Sequence, residues 1–161
     1  MADHRANNPT GREKEIVHTV WVDCPIAEAF RLFTEGFGEW WPLEAHSVHK
    51  EDAERCAMEP WIGGRIYERA RDGREEEWGS ILDWEPPQRL EFSWCPGQLE
   101  DRVETVRVEF EVHADGTRVT LIHSGWSRSG EVVCALRAPE WNSILQLCFA
   151  AAARQQLAAS Y

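Results

Sequence analysis

From Pro139 to about Ala159, six apolar residues recur at a spacing that only a helix brings to one side. Trp141, Ile144, Leu145, Cys148, Phe149 and Ala152 fall at i, i+3, i+4, i+7, i+8 and i+11, one continuous helical face. Pro139 suits the first turn, where a missing N–H costs nothing, and Glu140 suits the positive end of the helix. Alanine, glutamine and leucine then carry the helix with high intrinsic propensity. At 1.5 Å per residue it would run about 30 Å, the width of a small domain. A helix this long with so broad an apolar face needs a sheet to lie on.

Nearly everything before it reads as strand. Glu15 to Asp23 is rich in β-branched and aromatic residues and predicts a first strand. Asp23-Cys24-Pro25 opens a short helix with Ile26, Ala29, Phe30 and Phe33 on its inner face, and Gly36 and Gly38 end it. Pro42 to Asp52 reads as loop, Glu54 to Met58 as a short strand, and Pro60 to Gly64 as a turn. A meander follows. Asp72-Gly73 marks a hairpin between Ile66–Arg69 and Glu77–Trp84, and Pro86-Pro87 turns the chain into Arg89–Trp94. After a loop from Cys95 to Asp101, Val106, Val108, Phe110 and Val112 alternate with Arg107, Glu109 and Glu111 in a strand over Val103–His113. Asp115-Gly116 leads to its partner, Thr117–Ser124, stopped by Gly125-Trp126, and a polar linker runs from Ser127 to Glu131. One strand, one helix, about six strands and a terminal helix imply an α+β fold, an antiparallel sheet with its helices on one side.

The 161 residues suit a single domain over 13–161 behind a disordered polar tail at 1–12. With 17 Lys and Arg against 28 Asp and Glu the net charge is −11, which disfavours phosphate backbones and anionic membranes. No apolar run has the length of a membrane span, and the first residues lack the apolar stretch of a signal peptide. The five cysteines are odd in number, scattered and without a CxxC pair, which fits reduced thiols in a cytoplasmic protein. Nine tryptophans are enough to build a core or line a cavity.

An ordered series of motifs runs along the chain: WWP at Trp40–Pro42, GGRIYE at Gly63–Glu68, DG at Asp72–Gly73 and WG at Trp78–Gly79. It continues with WEPPQRLEFSW at Trp84–Trp94, TVRVEF at Thr105–Phe110 and DGTRVTLIHSGW at Asp115–Trp126. In this order they resemble the family of homologues of the activator of heat-shock protein 90 ATPase, a branch of the START-like (SRPBCC) superfamily. The resemblance implies a helix-grip fold of six or seven antiparallel strands curved around the long C-terminal helix, with an apolar cavity between. It does not imply one function, because the fold hosts ligand carriers, cyclases and co-chaperones.

The ligand expected on these grounds is a small hydrophobic molecule. The residues expected to line its pocket are Trp40, Trp41, Trp94, His123, Trp141, Leu145 and Phe149. Two adjacent indoles cannot both enter one core face of a regular element, so one of Trp40 and Trp41 is expected at the pocket mouth. Trp84 before Pro86-Pro87 and Trp94 at a strand end read first as residues that fix the meander. His123 shares the face of Val119 and Leu121 by period-two alternation. It is either a hydrogen-bonding or acid–base contact for a ligand, or a core histidine bonded to backbone. A cyclase or dehydratase would need an acid–base pair drawn from His123, Glu68, Tyr67 and Asp83, with Glu68 and Tyr67 on opposite faces of a regular strand. His46-Ser-Val-His49, with Glu44 and Cys56 near in sequence, offers metal-ligand types but no fixed helical face, so no metal or other cofactor is expected. The family name implies a chaperone contact as a further partner; nucleic acid and membrane are not expected partners.

Overall fold

A computed structural model describes residues 14–94, 104–126 and 141–159. The β-branched and aromatic run at the start forms β1 (Lys14–Val22), followed by two short helices, α1 (Ile26–Thr34) and α2 (Phe37–Trp40). A 3-10 turn at Lys50–Asp52 leads into β2 (Ala53–Met58), β3 (Arg65–Ala70), β4 (Glu75–Glu85), β5 (Arg89–Trp94), β6 (Glu104–His113) and β7 (Gly116–Trp126). All neighbours pair antiparallel in one seven-stranded sheet, in the order β1-β7-β6-β5-β4-β3-β2. The first strand closes against the last, so β1 and β2 form the two edges. β4 carries the bend: its first half pairs with β3, its second with β5, and register slips at Ile66/Tyr67 and Ile81/Asp83 mark the bulges.

The helices line one face of this sheet. Phe30 of α1 meets Trp84 and Phe110 edge-on, and Phe33 meets Phe110 and Phe149. α2 rests on β2 at one edge, the terminal helix on β1 at the other, and Trp40 of α2 touches Phe149 of the terminal helix. The sheet is thus gripped around its helices, as the element order implies. α2 lies so close to β2 that a Cβ on Gly38 would come within 2.3 Å of the Cys56 carbonyl oxygen. Only glycine permits that approach.

The terminal helix departs from its expected register. α3 (Trp141–Ser143) passes into a π-helical stretch (Ile144–Phe149) and then α4 (Ala150–Ala159), with the Ala150 N–H donating to the Leu145 carbonyl five residues back. A π turn advances the buried face by one extra residue. The face therefore runs Trp141, Ile144, Leu145, Phe149, Ala150 and Ala153, and Cys148 and Ala152, expected inside, are only half-buried. Pro139 and Glu140 lie outside the described residues, as do the tail at 1–12, the 95–101 loop and the 127–131 linker.

Two smaller expectations are corrected. β7 continues through Gly125 to Trp126, because Lys14 and Glu15 of β1 extend the pairing there. Alternation along β6 fails at its end: Val112 is 70% exposed, past Phe110, the last β6 residue under the α1 aromatics.

Gly38→Ala must push α2 off β2, an overpacking cost of about 2 kcal/mol. For a chain of this size that lowers Tm by roughly 4–8 °C in a thermal melt; an unchanged Tm would show that the α2–β2 contact is not tight.

Candidate functional site

Tryptophans from distant parts of the chain meet under the terminal helix. Trp41 stacks on Phe37 at 5.2 Å between ring centroids and touches Trp78, Trp94 and Trp141 at 5.5, 5.6 and 5.8 Å. Trp94 in turn meets Trp78 at 5.9 Å and Trp141 at 5.5 Å. Trp40 extends the group to Phe33 and Phe149. Tilted and edge-on pairs at these separations suit the ring quadrupoles better than face-to-face sandwiches. Both Trp40 and Trp41 are buried, so neither closes a mouth at the surface. The reason is a change of backbone between them: Trp40 ends α2, while Trp41 is already extended at φ −67°, ψ 131°. Both indoles can therefore turn inward, and their N–H groups donate to the carbonyls of Leu32 and His46.

At one end of this cluster lies a chain of three polar side chains. The Trp141 indole N–H donates to Nδ1 of His123 at 2.9 Å, and Nε2 of His123 lies 2.9 Å from Oε1 of Glu104. An indole nitrogen can only donate, so Nδ1 must present its lone pair. Nε2 then carries the imidazole proton and donates a hydrogen bond through it to Glu104, which accepts as a carboxylate. His123 is completely buried, inward like Val119 and Leu121, and its two ring nitrogens meet the side chains of Trp141 and Glu104. Glu104 lies two residues before Val106 on the inward face of β6 and keeps 8% of its surface exposed. It was not singled out from sequence, although the alternation Val106, Val108, Phe110 points back to it.

A second buried carboxylate bounds the cluster on the β3 side. Glu68 is fully buried. Its Oε1 accepts from the Val48 N–H and the Trp78 indole, and its Oε2 from the His49 N–H and lies 2.6 Å from His49 Nδ1. This fastens the segment after Trp41 to the sheet. Each oxygen already has two partners, so Glu68 is an anchor rather than an available acid or base. Tyr67 has Arg65 stacked over its ring at 4.0 Å, and Asp83 pairs with Arg89 at 2.8 Å near the surface. Neither joins the cluster. The strand bulge after Ile66 breaks the regular alternation there: Ile66, Tyr67 and Glu68 are all buried.

The two histidines of the 42–52 segment are likewise engaged. His46 lies against Trp41, and burial pulls its pKa below the usual imidazole value. Among the described residues no group of three metal-ligand side chains gathers. Burial, reinforced by the negative charge of Glu68, pushes the Cys56 thiol up to about 12, so it supplies almost no thiolate near neutrality. All seven residues expected at the pocket are buried; six belong to one hydrophobic core cluster, and His123 joins it at its polar end through the Trp141 indole. Trp78 and Glu104 complete the arrangement.

The architecture and this interior define a helix-grip, START-like domain. The family model described as "Activator of Hsp90 ATPase homolog 1-like protein" matches residues 23–147, and the chain belongs to that family. Among solved structures, an anthrahydroquino-γ-pyrone synthase, Txn09, is 35% identical over 68% of this chain and 75% of its own, with a TM-score of 0.51. A Nitrosomonas europaea protein (16% identical, covering 89% of this chain and 96% of its own, TM-score 0.60) shares the fold. So does a Rhizobium loti protein (19% identical, 89% and 99%, TM-score 0.60). A comparison with curated proteins finds no match. No helix among the described residues is long and apolar enough to cross a membrane.

Glu68→Gln places an amide N–H₂ against donors. Leaving charged hydrogen bonds unmade should cost about 2–4 kcal/mol in urea unfolding. A loss below about 1 kcal/mol, the worth of one ordinary neutral hydrogen bond, would refute the anchoring role.

Proposed function

We propose that this chain binds a small, planar, largely apolar aromatic molecule in the helix-grip interior, at the end of the sheet where Trp94, Glu104, His123 and Trp141 come together. One observation carries the reading: a wall of converging tryptophans ends on a buried histidine–carboxylate pair. Burying such a pair is costly unless its groups are bonded, and unlike Glu68, Glu104 has an oxygen that no described donor fills. An apolar aromatic wall with a few placed polar groups is the usual composition of a small-molecule site. The terminal helix supplies one side through Trp141, Leu145 and Phe149, and the sheet supplies the other through Trp78 and Trp94.

A ring-forming enzyme is the second reading, favoured by one finding: the 35%-identical relative is named as an anthrahydroquino-γ-pyrone synthase. The histidine–carboxylate pair is the group such chemistry would use. Binding without reaction returns the ligand unchanged. A cyclase or dehydratase returns an isomer or a product lighter by one water, visible by liquid chromatography and mass spectrometry.

A thermal-shift screen tests the binding reading. Fused-ring aromatics should raise the Tm of the native protein more than straight-chain fatty acids of similar size. Leu145→Trp, which adds bulk on the helix side, should reduce the shift produced by every hit. Equal stabilisation of both forms by each hit would count against a site under this helix.

A further inference from the structure

The polar end of the tryptophan cluster offers a ligand an acceptor. Four indole N–H groups are already committed: Trp40 to Leu32, Trp41 to His46, Trp78 to Glu68 and Trp141 to His123. Both ring nitrogens of His123 are engaged, by Trp141 and by Glu104. Glu104 is different. Its Oε1 receives the His123 proton, no described donor is bonded to Oε2, and the carboxylate is the member of the three that keeps some exposure. A carboxylate can accept at both oxygens.

We infer that the ligand of this site carries a single acidic hydroxyl, phenolic or enolic, on the rim of its aromatic system, and that this hydroxyl donates to Oε2 of Glu104. The inference rests on the aromatic-ligand reading above and narrows it. The other candidate groups fare worse on physical grounds. A carboxylate on the ligand would face Glu104 in a chain of net charge −11. An ammonium brings three N–H donors to one open acceptor, and beside packed aromatic rings those left unbonded are costly. A ligand with no donor strips water from Oε2 and returns nothing. A hydroxyl supplies the one donor that fits.

Trp141 acts here at one remove, as a positioning residue. By donating to Nδ1 it keeps the proton of His123 on Nε2, and that proton holds Oε1 of Glu104. The second oxygen is thereby left as the ligand's acceptor. An ordinary carboxylate is a much weaker base than a phenolate, so the contact is a charge-assisted hydrogen bond that orients the hydroxyl, with its proton retained.

Tryptophan-fluorescence titration of the full chain with 2-hydroxyanthraquinone, 2-methoxyanthraquinone and anthraquinone tests this. The wild type should bind the hydroxy compound at least about tenfold tighter than the methoxy compound, the worth of one hydrogen bond to a charged group. Glu104→Gln should bring that ratio close to unity while leaving anthraquinone binding in place. Trp141→Phe should lower the ratio and, in ¹⁵N NMR, move His123 away from the Nε2–H tautomer expected of the wild type. If Glu104→Gln does not fold, the wild-type ratio and Trp141→Phe still decide. Equal binding of hydroxy and methoxy compounds by the wild type, or a ratio that survives Glu104→Gln, overturns the hydroxyl inference and leaves the aromatic reading standing. Failure of all three compounds to bind overturns the aromatic reading itself.

Discussion

Trp41 is the contact on which the rest of this interior depends. Its ring touches Phe37 and Trp40 beside it, His46 in the following segment, Trp78 of β4, Trp94 of β5 and Trp141 of the terminal helix. Apart from the paired strands β4 and β5, those elements are not joined by any strand pairing. The sheet alone aligns β4 with β5, but it cannot bring α2 or the last helix to the same place. Burial of large rings against one another does so, and each ring removes a large apolar area from water.

So dense an aromatic interior must still satisfy its polar atoms, and this shapes its boundary. Indole N–H groups cannot be left bare inside a core. Two reach backbone carbonyls, of Leu32 and His46; two reach buried side chains, Glu68 and His123. Both of these belong to carboxylate–histidine pairs, yet the pairs differ in what they can do. Glu68 has its acceptor capacity filled by the 42–52 segment and Trp78, and it works as a fastening. Glu104 is held at one oxygen by a neutral imidazole whose tautomer Trp141 dictates, and it remains partly exposed. The same residue types thus give an anchor at one end of the cluster and a candidate ligand contact at the other.

Membership of the Hsp90-ATPase-activator homologue family fits this architecture. In this chain tryptophans concentrate at one end of the grip, and among the described residues there Glu104 is the carboxylate with an oxygen that no described donor fills.

Much of this was legible from residue order. Period-two alternation placed Val119, Leu121 and His123 on one face, and all three are buried there. The helical spacing identified Trp141, Ile144, Leu145 and Phe149 as an inward face, and the hairpin signals at Asp72-Gly73 and Asp115-Gly116 set the meander. Local periodicity determines these features because each depends on neighbours a few residues away. Tertiary packing alone decided three others. The π turn that moves the face from Ala152 to Ala153 depends on how the helix seats on the sheet. Trp40 and Trp41 both enter the core because the backbone switches from helix to extended between them as α2 meets β2. The tautomer of His123, and with it the open oxygen of Glu104, comes from Trp141, 18 residues away in sequence. No periodicity reaches across that distance. Hydrogen bonds between side chains of separate elements exist only once the elements are packed.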